Sequence, residues 1–243
     1  MPDAGRHVLV AGVDRGSGAG IAESFREKGW LVSECTVEAA IEDPAGVLDT
    51  AVAAQGPLHA AVANHLGYDF LPGETAASGY DWPRDLKGLL DFAGEALPRL
   101  GAAGGGALVS VTYTSHFVDP DDLTGLAAAK GAVVGATRAL AVEAGPTSRV
   151  ISITPGFVLT PRVESRLDEM EPGERDAFLG NVVERTPMRR AGRPADVGAI
   201  CAWLASERAS FVTGVDVVSD GGELSLNRTF SYNPPAEPEE GAA

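Results

Sequence analysis

Three glycines after the first apolar run have a spacing that suits an anion-binding loop. The segment Ala-Gly-Val-Asp-Arg-Gly-Ser-Gly places Gly12, Gly16 and Gly18 between a short strand and a helix. Gly12 permits a tight turn, Gly16 lets the backbone approach a pyrophosphate, and Gly18 lets the helix pack on the sheet. The N-terminus of the helix points N–H groups and the positive end of its dipole at that anion. The spacing therefore predicts a dinucleotide phosphate site.

A lone lysine lies in a long helix that is otherwise apolar. Lys130 stands in the run Ala-Ala-Ala-Lys-Gly-Ala-Val within the helix expected from Leu126 to Ala144. A buried amine is costly unless it has a partner. Lys130 therefore either binds a polar group, such as a ribose hydroxyl, or runs its stem along apolar surface to water.

Apolar strands and helices alternate along the chain, which predicts a doubly wound, Rossmann-type parallel sheet in one α/β domain. The domain is expected over residues 1–230 and a disordered Pro- and Glu-rich tail over 231–243. Strands are expected at 7–11, 30–35, 58–63, 107–112, 149–154 and 215–218, and helices at 19–28, 47–54, 86–100, 126–144 and 195–206.

Two connections differ from regular alternation. The segment from Phe157 to Arg190 predicts an excursion with two weak helices, which would cover the crevice at the carboxyl edge of the sheet. The segment from Thr36 to Asp43 leaves little room for the usual helix between the second and third strands.

The chain resembles the short-chain dehydrogenase/reductase family over residues 6 to 222. The glycine turn is similar to the family's TGxxxGxG turn, with Ala11 in place of Thr. The other segments that carry the resemblance are Val62-Ala63-Asn64-His65, Pro155-Gly156-Phe157-Val158-Leu159-Thr160, Gly192-Arg193-Pro194 and Asp220-Gly221-Gly222.

The resemblance implies a nicotinamide dinucleotide as cofactor. NADP is expected over NAD, because Thr36 stands where NAD-dependent members carry an acidic residue. Arg15, in turn, resembles the basic residue that NADP-dependent members direct at the extra phosphate. The residues that the resemblance places at the cofactor are Gly12, Arg15, Gly16, Gly18, Asn64, Lys130, Pro155, Gly156, Val158 and Thr160.

The family's catalytic residues are carried over only in part. Lys130 matches the family's lysine, but the tyrosine position four residues earlier is Leu126. The serine position is Tyr113, and the asparagine position falls near Asp85. We therefore expect Tyr113 to replace the missing proton donor with help from Lys130. In the other interpretation, Tyr113 only forms a wall of the pocket and Asp85 is a carboxylate on a helix surface.

Three functions remain open at this point. The favoured hypothesis is an NADP-dependent ketoreductase for a hydrophobic carbonyl compound. Its pocket is expected to be lined by Leu126, Phe117, Phe157 and Leu159, with Ser115 and His116 as spare acid/base candidates. The alternatives are a redox-neutral cyclase, lyase or dehydratase and a pseudoenzyme or nucleotide sensor on the same fold.

Composition limits the partners. The formal net charge of −15 argues against nucleic acid. We expect no membrane span, no targeting segment, no metal site and a cytoplasmic location with free thiols at Cys35 and Cys201. The helix from Leu126 to Ala144 is nearly apolar all round, which predicts that its outer face meets another subunit of a homodimer or homotetramer.

Overall fold

The computed structural model describes residues 3–66, 81–114 and 124–226. Within these ranges the chain forms an α/β layer structure with a central sheet. The strands are β1 (His7–Ala11), β2 (Leu31–Cys35), β3 (Ala60–Ala63), β4 (Gly106–Val111), β5 (Ser148–Pro155) and β6 (Asp216–Ser219). The helices are α1 (Gly18–Glu27), α2 (Val37–Glu42), α3 (Pro44–Gln55), α4 (Trp82–Ala102), α5 (Thr124–Ala144), α6 (Pro161–Asp168), α7 (Pro172–Arg185) and α8 (Pro194–Ala205). The expected tail at 231–243 lies outside the described residues.

The six strands form one parallel sheet in the order β2-β1-β3-β4-β5-β6. The prediction of a doubly wound parallel sheet is confirmed. Alternate strand residues pack on opposite faces, so the core has two halves. One half lies between the sheet and helices α1 and α8, and the other lies between the sheet and helices α3, α4 and α5.

The connection between β2 and β3 differs from the prediction. Thr36 caps α2 by accepting a hydrogen bond from the N–H of Ala39 at 3.2 Å, and Asp43 caps α3 by accepting one from Gly46 at 2.8 Å. The expectation that 36–43 leaves little room for a helix was therefore wrong, because a short helix followed directly by a second one fits there. Between Cys35 and Ala60 no strand forms. Doubly wound dinucleotide folds commonly have a further strand outside β2, and here β2 is the edge.

Helix α5 is buried on one side only. By length and composition it could cross a membrane, but in this fold it packs on β5 and against α4. Its buried residues are Leu126, Ala129, Lys130, Val133 and Thr137. The opposite face is exposed in the single chain, so the expected burial on every side is not found within one subunit.

The α6–α7 excursion (residues 160–191) has a small apolar cluster of its own. Val163 and Leu167 are buried in it, and residues from α7 and from the end of β5 pack against them. The base of the excursion is closed by a parallel bridge between Val158 and Gly192. The two predicted weak helices are both present.

Candidate active site

The site forms where the direction of the sheet order changes. The chain passes from β1 outward to β2 and then returns to place β3 on the other side of β1. The loops that follow β1 and β3 therefore separate and leave a crevice at their carboxyl ends. In open α/β sheets ligands bind at such a crevice.

The glycine turn after β1 needs glycine at each predicted position. Gly12 has a φ of +90°, and a Cβ there would lie 2.7 Å from the carbonyl oxygen of Asn64. Gly16 has a φ of +50°. A Cβ on Gly18 would lie 2.0 Å from the carbonyl oxygen of Gly12. Only glycine permits the positive φ angles and the close contacts of this turn.

Asn64 holds the glycine turn from the end of β3. Its Nδ2 donates hydrogen bonds to the carbonyl oxygens of Gly12 at 2.9 Å and Arg15 at 2.8 Å. Its Oδ1 is buried and accepts no hydrogen bond in the described part of the chain. Asn64 was predicted as a cofactor contact, and in the structure it also shapes the turn.

Arg15 turns from the glycine turn toward α4. Its Nη1 donates to the carboxylate of Asp85 and, at 3.1 Å, to the carbonyl oxygen of His65. The Asp85 side chain is only 3% exposed, whereas that of Arg15 is 28% exposed. The alternative that made Asp85 a surface carboxylate was therefore wrong, because Arg15 supplies the counter-ion that a buried carboxylate needs. Sequence reasoning missed this ion pair, since the two residues are far apart in the chain.

Lys130 is 1% exposed and reaches the same loop from α5. Its Nζ donates a hydrogen bond to the carbonyl oxygen of Leu66 at 2.8 Å. The same ammonium lies over the ring of Tyr113, 5.1 Å from the ring centroid. Such a contact between a cation and an aromatic ring is attractive. The polar partners expected for this buried lysine are therefore present, and the structure brings Tyr113 and Lys130 together.

Tyr113 lines a cavity of about 190 Å³ beneath α7. Phe157 also lines it, as predicted. Leu126 packs in the core between the sheet and α3, α4 and α5, and Leu159 packs in the cluster of the α6–α7 excursion; neither is among the described residues that line this cavity. Ser115, His116 and Phe117 lie outside the described residues. The other lining residues are Phe178, Asn181, Val182, Arg185, Thr186 and Glu223. The lining therefore combines apolar and polar groups.

The segment after β5 closes the crevice on its other side. Gly156 packs so closely on the residue after β6 that a Cβ there would lie 2.8 Å from the Cα of Asp220. Val158 pairs with Gly192, and Thr160 caps α6 by accepting a hydrogen bond from the N–H of Val163 at 3.3 Å. Pro155 ends β5, and Gly156, Val158 and Thr160 follow it, so all four lie at the carboxyl edge of the sheet, on the crevice side.

A buried polar chain that the sequence did not reveal connects β4, β5 and β6. The hydroxyl of Thr112 lies 2.6 Å from that of Thr154, which donates to the carboxylate of Asp216 at 2.9 Å. Ser152 donates to the same carboxylate at 2.7 Å. Because Thr112 immediately precedes Tyr113, these bonds fix the strand end from which Tyr113 projects.

Three titratable groups near the crevice or in the core are held neutral by burial. Burial and, to a smaller extent, the charge of Arg15 lower the pKa of His65 to about 4. Burial raises the pKa of Cys35 to about 12, with a contribution from the charge of Asp14, and burial also raises the pKa of Cys201 to about 12. Both cysteines therefore stay as thiols, which excludes thiolate chemistry for them at neutral pH.

The residues present fit the pyrophosphate half of a dinucleotide. The glycines of the turn after β1 leave a cradle that a Cβ would fill. The buried Oδ1 of Asn64 is an acceptor that has no donor among the described residues. The start of α1 directs its N-terminus at the cradle. On the adenosine side, the outer strand is missing and Val37 is fully buried against Gly12.

Comparisons with known proteins agree with this geometry. A family model described as enoyl-(acyl carrier protein) reductase matches residues 39–223. The oxidoreductase UcpA of Escherichia coli K12 is 32% identical, over 93% of this chain and 97% of that protein. The cyclohexanol dehydrogenase of Acinetobacter sp. SE19 is 33% identical, over 76% of this chain and 71% of that protein. The chain belongs to the short-chain dehydrogenase/reductase family.

A solved structure shows the same fold at lower identity. The L-sorbose reductase of Gluconobacter frateurii, in complex with NADPH and L-sorbose, has a TM-score of 0.78 and 23% identity, over 93% of this chain and 100% of that chain. That protein therefore binds NADPH in a fold of this kind. The relatives favour an oxidoreductase over the redox-neutral alternative.

Proposed function

We propose that the protein is an NAD(P)-dependent ketoreductase in which Tyr113 is the proton donor and Lys130 its supporting cation. The observation that carries the proposal is the contact of the buried Lys130 ammonium with the Tyr113 ring, beside a partly open cavity at the carboxyl edge of the sheet. When bound, the nicotinamide supplies a hydride to the carbonyl carbon. Tyr113 then gives its phenolic proton to the carbonyl oxygen.

The charges around Tyr113 support this role. Proton transfer leaves a phenolate, and a nearby ammonium stabilises that anion by Coulomb attraction. Lys130 is held in place by the carbonyl oxygen of Leu66, so little reorganisation is needed during the reaction. The proton returns to Tyr113 from solvent after the alcohol leaves.

The substrate proposed is a small carbonyl compound with an apolar body. Phe157 and Phe178 form one wall of the cavity, with ring centroids 5.4 Å apart, and Val182 lies beside them. Asn181 and Arg185 add polar groups to the lining. A cyclic ketone such as cyclohexanone suits this size and polarity, and a relative is a cyclohexanol dehydrogenase.

The cofactor proposed is NADP, because a guanidinium at position 15 can bind a phosphate. A bound phosphate would compete with the Asp85 carboxylate for the Arg15 guanidinium, because Arg15 already pairs with Asp85. Separate calorimetric titrations with NADPH and NADH would show which nucleotide binds more tightly.

We also propose a cytoplasmic homodimer or homotetramer that uses the outer face of α5. This face carries small residues such as Ala128, Ala132 and Gly135, with Val142 exposed beyond them. Small exposed residues let another helix approach closely. Cys35 and Cys201 are free thiols, as expected in a reducing compartment. Light scattering of the purified chain would give the mass of the assembly.

The test of the catalytic proposal is the change of Tyr113 to Phe. We expect NADPH-dependent reduction of cyclohexanone and related cyclic ketones to fall by about 100-fold or more, because general acid catalysis is lost. The affinity for NADPH should change by less than about twofold, since the ring that contacts Lys130 remains.

Thr186→Val is the matched control. Thr186 lines the same cavity, but its hydroxyl donates to the carbonyl oxygen of Val182 at 2.8 Å and should not serve the reaction. Turnover by Tyr113→Phe equal to that of the control would contradict the role of Tyr113. Cofactor binding without reduction or oxidation of any such substrate would favour the pseudoenzyme alternative.

A further inference from the structure

We infer that Asp85 determines how strongly this protein discriminates between NADP and NAD, by holding Arg15 in an internal ion pair. The inference rests on the proposed use of a nicotinamide dinucleotide. It concerns the extra phosphate of NADP, whereas the proposed reaction depends on Tyr113 and Lys130.

The position of the Arg15–Asp85 pair supports this inference. Arg15 belongs to the glycine turn and Asp85 to the first turn of α4, so the ion pair spans two walls of the crevice. The guanidinium also donates to the carbonyl oxygen of His65, which directs it inward. A phosphate that recruits Arg15 must draw it away from both acceptors.

The burial of Asp85 also supports the inference. A carboxylate that is nearly inaccessible loses its hydration and depends on its counter-ion. Moving Arg15 toward a ligand would leave that carboxylate with less compensation. The energetic cost of a buried carboxylate is therefore subtracted from the affinity for NADP but not from the affinity for NAD.

The negative charge near Arg15 supports the inference as well. Asp14 accepts a hydrogen bond from the N–H of Val37 at 2.9 Å, and Glu38 follows in the same turn. Arg84, a nearby cation, is paired with Glu38 through two hydrogen bonds of 2.8 and 2.6 Å. Asp85 thus contacts Arg15, with Asp14 and Glu38 on neighbouring segments, and the charge of a further phosphate is repelled by these carboxylates.

The experiment is a calorimetric titration of the full chain with NADPH and with NADH. The variants are Asp85→Asn, Arg15→Gln and the double variant. Asp91→Asn is the matched control, because it makes the same charge change on α4 at an exposed pair with Lys87. Asp85→Asn should lower the Kd for NADPH by about tenfold and change that for NADH by less than about twofold, because Arg15 gains a charge-assisted bond to phosphate. The double variant should lose this gain.

The ratio of the Kd for NADPH to the Kd for NADH tests the inference. Binding of either nucleotide to the protein tests the proposal that the cofactor is a nicotinamide dinucleotide. An unchanged ratio in folded Asp85→Asn would overturn the inference while the function stands. Failure of every variant to bind either nucleotide would overturn both. If Asp85→Asn gives no thermal unfolding transition, Arg15→Gln alone decides: a change in the ratio below about threefold supports the inference, and a loss of NADPH affinity of tenfold or more overturns it.

Discussion

The buried imidazole of His65 should make the folded protein lose stability on acidification. Both ring nitrogens are buried without a hydrogen-bond partner in the described residues, and the ring lies 5.5 Å from that of Phe92. Burial lowers the pKa of His65 to about 4, against an ordinary value of 6.5. The folded state therefore keeps this ring neutral over a pH range in which the unfolded chain protonates it.

The sign and size follow from proton linkage. Between pH 6.5 and 4 the unfolded state binds more protons, so the free energy of unfolding falls as the pH is lowered. With these two pKa values, His65 alone removes about 2 kcal/mol between pH 7 and pH 5. Below pH 4 both states carry the proton, and the contribution no longer changes.

The assay is urea unfolding at pH 7 and pH 5 for the natural chain and for His65→Leu. Leucine fills most of the space of the ring and does not titrate, so the carboxylates common to both proteins cancel in the comparison. The natural chain should lose about 2 kcal/mol more than the variant on going to pH 5. Equal losses would show that the ring is not held neutral and would refute the reasoning.

Three further substitutions test the glycine turn and the helices. Gly18→Ala should destabilise the fold and abolish nucleotide binding, because the new Cβ would lie 2.0 Å from the carbonyl oxygen of Gly12. Gly94→Ala, in an exposed part of α4 with nothing within 4 Å, should instead raise the free energy of unfolding by up to about 1 kcal/mol, and urea titration compares the two. Thr160→Val should cost about 1 kcal/mol, because α6 loses its cap at Val163. Hydrogen exchange that stays as slow in α6 as before would contradict that role.

Much of the fold could be predicted from the sequence because its signals are local. Apolar runs and their spacing predicted the order of strands and helices, and Gly29, with a φ of +78°, follows soon after the end of α1. The missing outer strand could not be seen in this way. The chain between Cys35 and Ala60 is short, but its length alone does not show whether a helix or a strand is lost.

The sequence predicted those site residues whose type follows from a single local requirement. The glycines are required by backbone conformation, and Lys130 stood out because its charge lies in an apolar helix. The partners of Arg15 and Thr154 were not predictable, because Asp85 and Asp216 reach them only after the chain has folded. Leu126 was expected in the pocket by analogy with its family position. Its apolar side chain is instead buried in the core, where its surface is removed from water.

The bridge between Val158 and Gly192 has a consequence for how the specificity of this protein can change. It closes a loop of 33 intervening residues whose ends meet at one point, and these residues have an apolar cluster separate from the two that cover the sheet. Such a loop can be exchanged for another of different length or sequence without altering the strand registers. The walls over Tyr113 are therefore a replaceable part, and the sheet with its glycine turn is the constant part on which new substrate preferences can be built.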